Sequence, residues 1–203
     1  MGRRGEHSKE ELAAMALDAA IELLEAAGPE RLTTRAVAGR IGYAAGSLYF
    51  VFRNRDDLIL QVNGRTLDEL RAALELGLAG CTHPRSRLLA LGRTYLHFAC
   101  VHVARWRLIF EHDLPDPRRE IPADLQARIN GLFALVGEQL SLFAPDLNQE
   151  RLRRGAQALW CGVHGIAVLA VTDKLWAGGE VDAQALTTDL IEHYLAGLAA
   201  DRG

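Results

Sequence analysis

Apolar positions along this chain recur at three- and four-residue intervals, alternating apolar and polar runs are scarce, and glycine and proline fall between the periodic segments. The pattern predicts an all-α fold. Ser8 followed by Glu11 has the spacing of a capping box, and Leu12, Met15, Ala16, Ala19, Leu23 and Leu24 then share one helical face until Gly28-Pro29 stops it. Thr33 or Thr34 is placed to cap a short second helix with Val37, Ala38 and Ile41 inward, ending at Gly42, a residue that accepts left-handed backbone angles. From Ala44 a third helix of about two turns carries Leu48 and Phe52 to the core. Asn54 with Asp57 caps a long fourth helix lined by Leu58, Val62, Leu70, Leu74 and Leu78.

Beyond His83-Pro84 the period resumes, with Leu88, Leu91, Tyr95 and Phe98 on one stripe, up to a break at Leu114-Pro-Asp-Pro. Pro122 suits the first turn of a helix running to Phe143. Pro145-Asp146 separates that helix from another spanning about Leu147 to Leu175, which Gly178-Gly179 ends. The last helix begins at Asp182, with Leu186, Leu190, Tyr194 and Leu198 spaced for one face.

The chain of 203 residues is 49% hydrophobic and 24% charged, the balance of a folded protein with a substantial core. Its three cysteines, Cys81, Cys100 and Cys161, are odd in number and lack C-x-x-C spacing, which suggests reduced thiols in a cytoplasmic protein. No apolar stretch follows the first residues, so a signal peptide is not indicated. The longest apolar run, Ala158 to Thr172, is interrupted by His164 and is shorter than the roughly 20 residues a membrane helix needs. Membrane association is therefore not expected. A formal net charge of −3 means that any nucleic-acid binding must come from a local patch.

Such a patch lies in "LTTRAVAGRIGYAAGSLYFVFRNR", residues 32–55, which holds Arg35, Arg40, Arg53 and Arg55 and no acidic side chain. A basic segment of this kind is often only a solvated face. Here, however, two short helices flank a glycine turn, with the dimensions of a helix-turn-helix. Ala38 is small where the third helix must approach, and the outer face offers Arg35, Ala44, Ala45, Gly46, Ser47, Tyr49 and Phe50. Small residues at Ala44 to Gly46 let the amino end of the third helix enter a major groove, where its partial positive charge favours phosphate oxygens. Thr33, Thr34, Tyr49 and Arg55 are placed to donate to phosphates, and Arg35 is the candidate for bidentate base readout.

Over Glu10 to Leu60 these residues resemble the tetracycline-repressor (TetR) family of bacterial transcription regulators, through L-T-T-R-A-V-A followed by I-G-Y-A-A-G-S-L-Y-F-V-F-R-N-R-D-D-L. The resemblance implies a helix-turn-helix DNA-binding domain over residues 1–54 and a helical ligand-binding and dimerisation domain over 55–203, with the fourth helix as the connecting lever. It places phosphate contacts on Thr33, Thr34, Tyr49 and Arg55 and base contacts around Arg35, Ala45, Gly46 and Phe50. The chain departs from the family pattern at Val51, where His is frequent, at Arg55, where Lys is usual, and at Ala44, where a polar residue often opens the recognition helix. In the second half, "LWCGVHGIAVL" resembles the W-x-x-x-H-G signature of one C-terminal subgroup, matched by Trp160, His164 and Gly165. The resemblance further implies a homodimer through the last two helices, binding a palindromic double-stranded operator as a repressor released by a small-molecule effector.

His97, Trp106, Phe110, Phe133, Trp160 and His164 are the candidate effector-binding residues; the competing reading is that such rings simply fill the core. Metal coordination by His97, Cys100 and His102 is not expected, because on one helix His97 and Cys100 share a face and His102 points elsewhere. No cofactor is expected either. An enzyme is the rival class, since helical bundles house di-iron centres, but the chain holds no Glu-x-x-His pair and none of the H-E-x-x-H, G-x-S-x-G or dinucleotide-binding motifs. A coiled-coil scaffold is excluded by the proline breaks.

Overall fold

The computed structural model describes residues 7–111, 121–175 and 181–200, and among them it contains helices and no strand. The described chain forms two compact units. The first draws on Met1–Leu67 and His102–Leu125, the second on Asp68–Val101 and Gln126–Gly203. The first unit, the head, thus includes the first part of the fourth helix and a segment that follows residue 101.

In the first unit, α1 (Lys9–Ala27) starts at Ser8, whose Oγ accepts from the Glu11 N–H at 3.1 Å while the Ser8 N–H donates to Glu11 Oε2 at 2.7 Å. These are the two reciprocal bonds of the capping box, and the backbone N–H of Ser8 holds the Glu11 carboxyl below its ordinary pKa. At the other end Gly28 adopts φ 80° and its N–H bonds Leu24 O. A 3-10 turn over Pro29–Arg31 leads to α2 (Thr34–Arg40), capped by Thr33, whose Oγ1 accepts from the Ala36 N–H. Gly42 then takes φ 76°, where a side chain would be strained, and Tyr43 N–H closes onto Ala38 O at 2.9 Å.

The third helix is shorter than the periodicity implied. α3 spans only Ala45–Leu48, after which the chain tightens through bonds from Phe50 N–H to Ser47 O and from Val51 N–H to Leu48 O. Two requirements limit it. Leu48 and Phe52 must both reach the core, where each is fully buried, and the cap of α4 (Arg55–Gly77) begins at once. There the Asp57 N–H bonds Asn54 Oδ1 and the Arg53 N–H bonds Asp57 Oδ2, each at 2.8 Å. Around Leu48 and Phe52 gather Leu12, Ala16, Leu24, Leu32, Val37, Leu58, Ile59 and Val62.

The stripe Leu88–Leu91–Tyr95–Phe98 lies on one helix, and a second helix follows before the expected break at Leu114. α5 (Pro84–Val101) ends just before His102, and α6 (Val103–Glu111) belongs to the first unit. Leu108 of α6 joins the core of the head, and the Arg105 side chain, 6% exposed, pairs through Nε with Glu25 Oε1 of α1 at 2.9 Å. Arg105 Nη2 also donates to His102 Nδ1 at 2.7 Å. The metal candidates His97 and Cys100 therefore sit on α5 and His102 in the bend after it. No group of residues able to hold a metal ion occurs among the described residues.

The second unit contains α5, most of α7 (Ala123–Phe143), α8 (Gln149–Val171) and α9 (Ala183–Ala200). Asn148 caps α8 by accepting from the Arg151 N–H. The expected breaks at Leu114-Pro-Asp-Pro and Gly178-Gly179 lie outside the described residues. α9 does not present the single face Leu186–Leu190–Tyr194–Leu198; those residues are half-buried, and the row one step along, Thr187, Ile191 and Leu195, is fully buried. The reason is that α9 has helices on two sides. A Cβ at Gly92 of α5 would collide with Ile191, one at Gly162 of α8 would lie 2.5 Å from Leu190 Cδ2, and one at Gly155 would lie 2.7 Å from the Tyr194 hydroxyl. No described helix is long and apolar enough to cross a membrane.

This packing makes Gly92→Val an overpacking change, expected to cost about 1–3 kcal/mol. Gly137, inside α7 with nothing within 4 Å of an added Cβ, should by contrast gain from Gly137→Ala by up to about 1 kcal/mol of helix propensity. Chemical denaturation of the two variants checks both signs.

Candidate nucleic-acid interface

The residues expected to meet DNA fall into two groups in the head. Arg35, Ala44, Gly46, Tyr49, Phe50 and Arg55 are exposed, and Thr33, Thr34, Ala45 and Ser47 are half-buried. Tyr49 and Phe50 stand out, at 61% and 77% exposed, because a monomeric core would cover rings of this size if it had a use for them. Their outward position follows from the buried partners beside them: Leu48 and Phe52 are drawn inward, four residues apart, and the two aromatics between must face away.

The arginines of this segment divide. Arg40 donates through Nε and Nη2 to Glu22 Oε2 at 2.9 and 2.7 Å, tying α2 to α1. Arg55 donates through Nε to Leu32 O and through Nη2 to Pro29 O, both at 2.8 Å, clasping the connection between α1 and α2 to the start of α4. Arg35 and Arg53 have side chains without a partner among the described residues. Sequence reasoning missed the clasp at Arg55, because its acceptors are backbone carbonyls 23 and 26 residues away and leave no mark in local pattern. It also overstated the dipole of the recognition helix. One α-turn carries little macrodipole, and Ala44 at its cap provides no side-chain bond, so the surface relies on side chains.

The candidate effector residues belong to both units. In the second unit the His164 ring stacks on Trp160 with centroids 4.8 Å apart, Phe133 meets Trp160 edge-on at 5.5 Å, and the Tyr95 hydroxyl lies 2.9 Å from His164 Nδ1. Trp106 and Phe110 pair with each other in the first unit, at 5.1 Å, and His97 is exposed on α5. Tyr95, read in the sequence only as part of an apolar stripe, is the polar neighbour of His164. Burial lowers the His164 pKa, keeping the imidazole neutral near pH 7.

Two stretches of the chain match two family models. Residues 16–62 match one described as bacterial regulatory proteins of the tetR family, and residues 88–194 match a tetracyclin repressor-like C-terminal domain. A curated relative from Mycobacterium tuberculosis, described as an uncharacterized HTH-type transcriptional regulator, is 26% identical over 184 residues, covering 90% of this chain and 79% of that protein. Among solved structures, a protein of unknown function from Rhodococcus sp. RHA1 superimposes with a TM-score of 0.79 at 23% identity, covering 97% of this chain and 99% of the other. A TetR-like transcriptional regulator from Rhodococcus sp. RHA1 superimposes with a TM-score of 0.65 at 18% identity, covering 96% and 99%. At these identities the structural matches establish the fold.

Because the folded imidazole binds its proton less readily than the unfolded one, the unfolded state takes up more protons as pH falls below the ordinary value of 6.5, and stability falls with it. The contribution is fully present above that value and is lost as pH drops through the lowered one. Thermal unfolding between about pH 7.5 and about pH 5 should show this loss in the wild type and a smaller one in His164→Gln.

Proposed function

Because the chain belongs to the TetR family of DNA-binding transcriptional regulators, which are not enzymes, we propose that it is a homodimeric repressor released from a palindromic operator by a small molecule. The observation that carries the reading is the outward pair Tyr49 and Phe50, exposed between the buried Leu48 and Phe52, with Arg35 exposed on α2. Tyr49, Thr33 and Thr34 supply hydroxyls for phosphates, and Arg35 reaches base edges with Ala44, Ala45, Gly46 and Ser47 small enough to allow close approach. Arg55 holds carbonyls with Nε and Nη2 and keeps its charge and remaining N–H groups for a phosphate beside Thr33.

The dimer is assigned to α8 and α9. Ala158, Cys161, Gly165 and Val168 form an exposed seam of small and apolar residues along α8, and Ala185, Asp189, His193 and Ala196 run along the outer side of α9. Two heads joined there would enter major grooves about 34–36 Å apart on one face of a duplex. For the effector, the Phe133–Trp160–His164 stack with Tyr95 offers an aromatic wall with a neutral polar group. Release requires that the effector bind more tightly to a state with a different head separation, and the loss of DNA affinity equals that difference. α4, which contributes residues to both units, is the lever. A repressor of this kind works in the cytoplasm.

Two measurements check this account. On a non-specific duplex, Arg55→Ala should flatten the dependence of log K on log salt by about one unit and also destabilise the head. Arg55→Lys should restore the slope but not the stability, because an ammonium keeps the charge and cannot span both carbonyls. An unchanged slope in Arg55→Ala removes the phosphate role. For the dimer, Gly165→Arg should yield a folded monomer in analytical ultracentrifugation where the wild type sediments as a dimer. A dimeric Gly165→Arg protein would place the interface elsewhere.

A further inference from the structure

In the second unit, Arg87 near the start of α5 donates through Nε to Gln139 Oε1 of α7 at 2.6 Å and through Nη1 to the Cys81 carbonyl at 3.2 Å. A guanidinium only donates, so the Gln139 amide must turn its oxygen toward it. The NH2 group is thereby sent to the other corner of the same plane. Gln139 is fully buried, and its Nε2 meets no acceptor among the described residues. An unpaired donor in such a place costs free energy that an apolar side chain would not. Arg87 is half-buried and pairs with no carboxylate among the described residues. Glu138, the one acid adjacent in sequence to this pair, is exposed. A positive charge and an unused amide donor thus meet inside this unit.

The pair also stands in register with the aromatic group described above. Gln139 lies six residues after Phe133 on α7, and Arg87 lies eight residues before Tyr95 on α5. At 1.5 Å per residue these separations are about 9–12 Å. The two helices are linked a second time through Phe133, Trp160, His164 and Tyr95, so the donors and the rings occupy two levels of one interior. On α7, Leu132, Leu135 and Val136 share the face of Gln139 and are only half-buried, which leaves apolar surface between the levels.

We propose that Arg87 and Gln139 form the carboxylate-binding end of the effector site, which makes the effector an amphipathic monocarboxylate whose apolar body runs toward the Phe133–Trp160 wall. The proposal rests on the reading of that wall as part of an effector site. A carboxylate has two acceptor oxygens, one for the Gln139 NH2 and one for the N–H groups that Arg87 keeps, and its charge offsets the guanidinium. The neutral His164 then meets the body of the molecule and not its charge.

Decanoate and decanol share an apolar chain and differ in the head group. Both are titrated calorimetrically at about pH 7 into the full-length protein and into Gln139→Glu, Arg87→Met and Phe133→Ala, with circular dichroism confirming the fold. The wild type should bind decanoate about ten- to a hundredfold more tightly than decanol. Gln139→Glu keeps the shape and an acceptor for Arg87 but sets one carboxylate against another; it should lose decanoate and retain decanol. Arg87→Met should bring the two probes to equal affinity, and Phe133→Ala should weaken both. If Arg87→Met does not fold, Gln139→Glu decides alone. Decanoate binding that Gln139→Glu leaves at the wild-type level overturns the proposal, because the amide is then only a structural partner of Arg87. Equal wild-type affinity for the two probes, with Phe133→Ala weakening both, overturns the carboxylate end and leaves the aromatic wall standing. Binding of neither probe overturns both.

Discussion

Leu48 and Phe52 lie four residues apart on either side of the short recognition turn, and both are completely buried among residues from α1, α2 and α4. Burying side chains of this size stabilises by about 1.5–3 kcal/mol each, and truncating a buried Phe to Ala costs about 3–5 kcal/mol. No surface contact of the head matches that. These two anchors, with the left-handed turn at Gly42, decide which side of residues 44–52 faces outward. The exposure of Tyr49 and Phe50 is the consequence. The proposed DNA-reading surface is thus specified by what the core takes away from it.

Electrostatics refine this surface without building it. With a net charge of −3, the chain has no general attraction for a polyanion, and the head must place its cations individually. It spends two of them on its own architecture: the exposed Arg40–Glu22 pair, of a kind usually worth less than 1 kcal/mol, and the Arg55 clasp on two carbonyls. The clasp couples the connection beside Thr33 to the first turn of α4, so the group proposed to serve a phosphate also holds the shape of that connection. Charge and geometry meet in one side chain at this position.

Much of the fold is legible in the sequence because local chemistry dictates it. The capping residues Ser8, Thr33, Asn54 and Asn148, the left-handed Gly28 and Gly42 and the stripe Leu88–Leu91–Tyr95–Phe98 are signals readable within a few residues. The family-bearing segment was legible for the same reason, since its small and hydroxylated residues are fixed by the turn they build. What escaped was set at a distance. The break between α5 and α6 at His102 carries no Gly or Pro, and α6 buries Leu108 and pairs Arg105 with Glu25 in the head. The register of α9 was misplaced by one residue because a single amphipathic face was assumed where Gly92 and Gly162 admit neighbours on two sides. The rings were grouped by type, and type alone does not assign Trp106 and Phe110 to the first unit and Trp160 and His164 to the second.

The central claim is that two copies of this head read one duplex through the face bearing Arg35, Tyr49 and Phe50. Repeated selection of bound fragments from a random pool of duplex DNA by the purified protein tests it directly. The account predicts enrichment of an inverted repeat with half-site centres about 10–10.5 base pairs apart, or a multiple of that. A pool that stays unenriched after rounds in which the protein is folded and dimeric would contradict it.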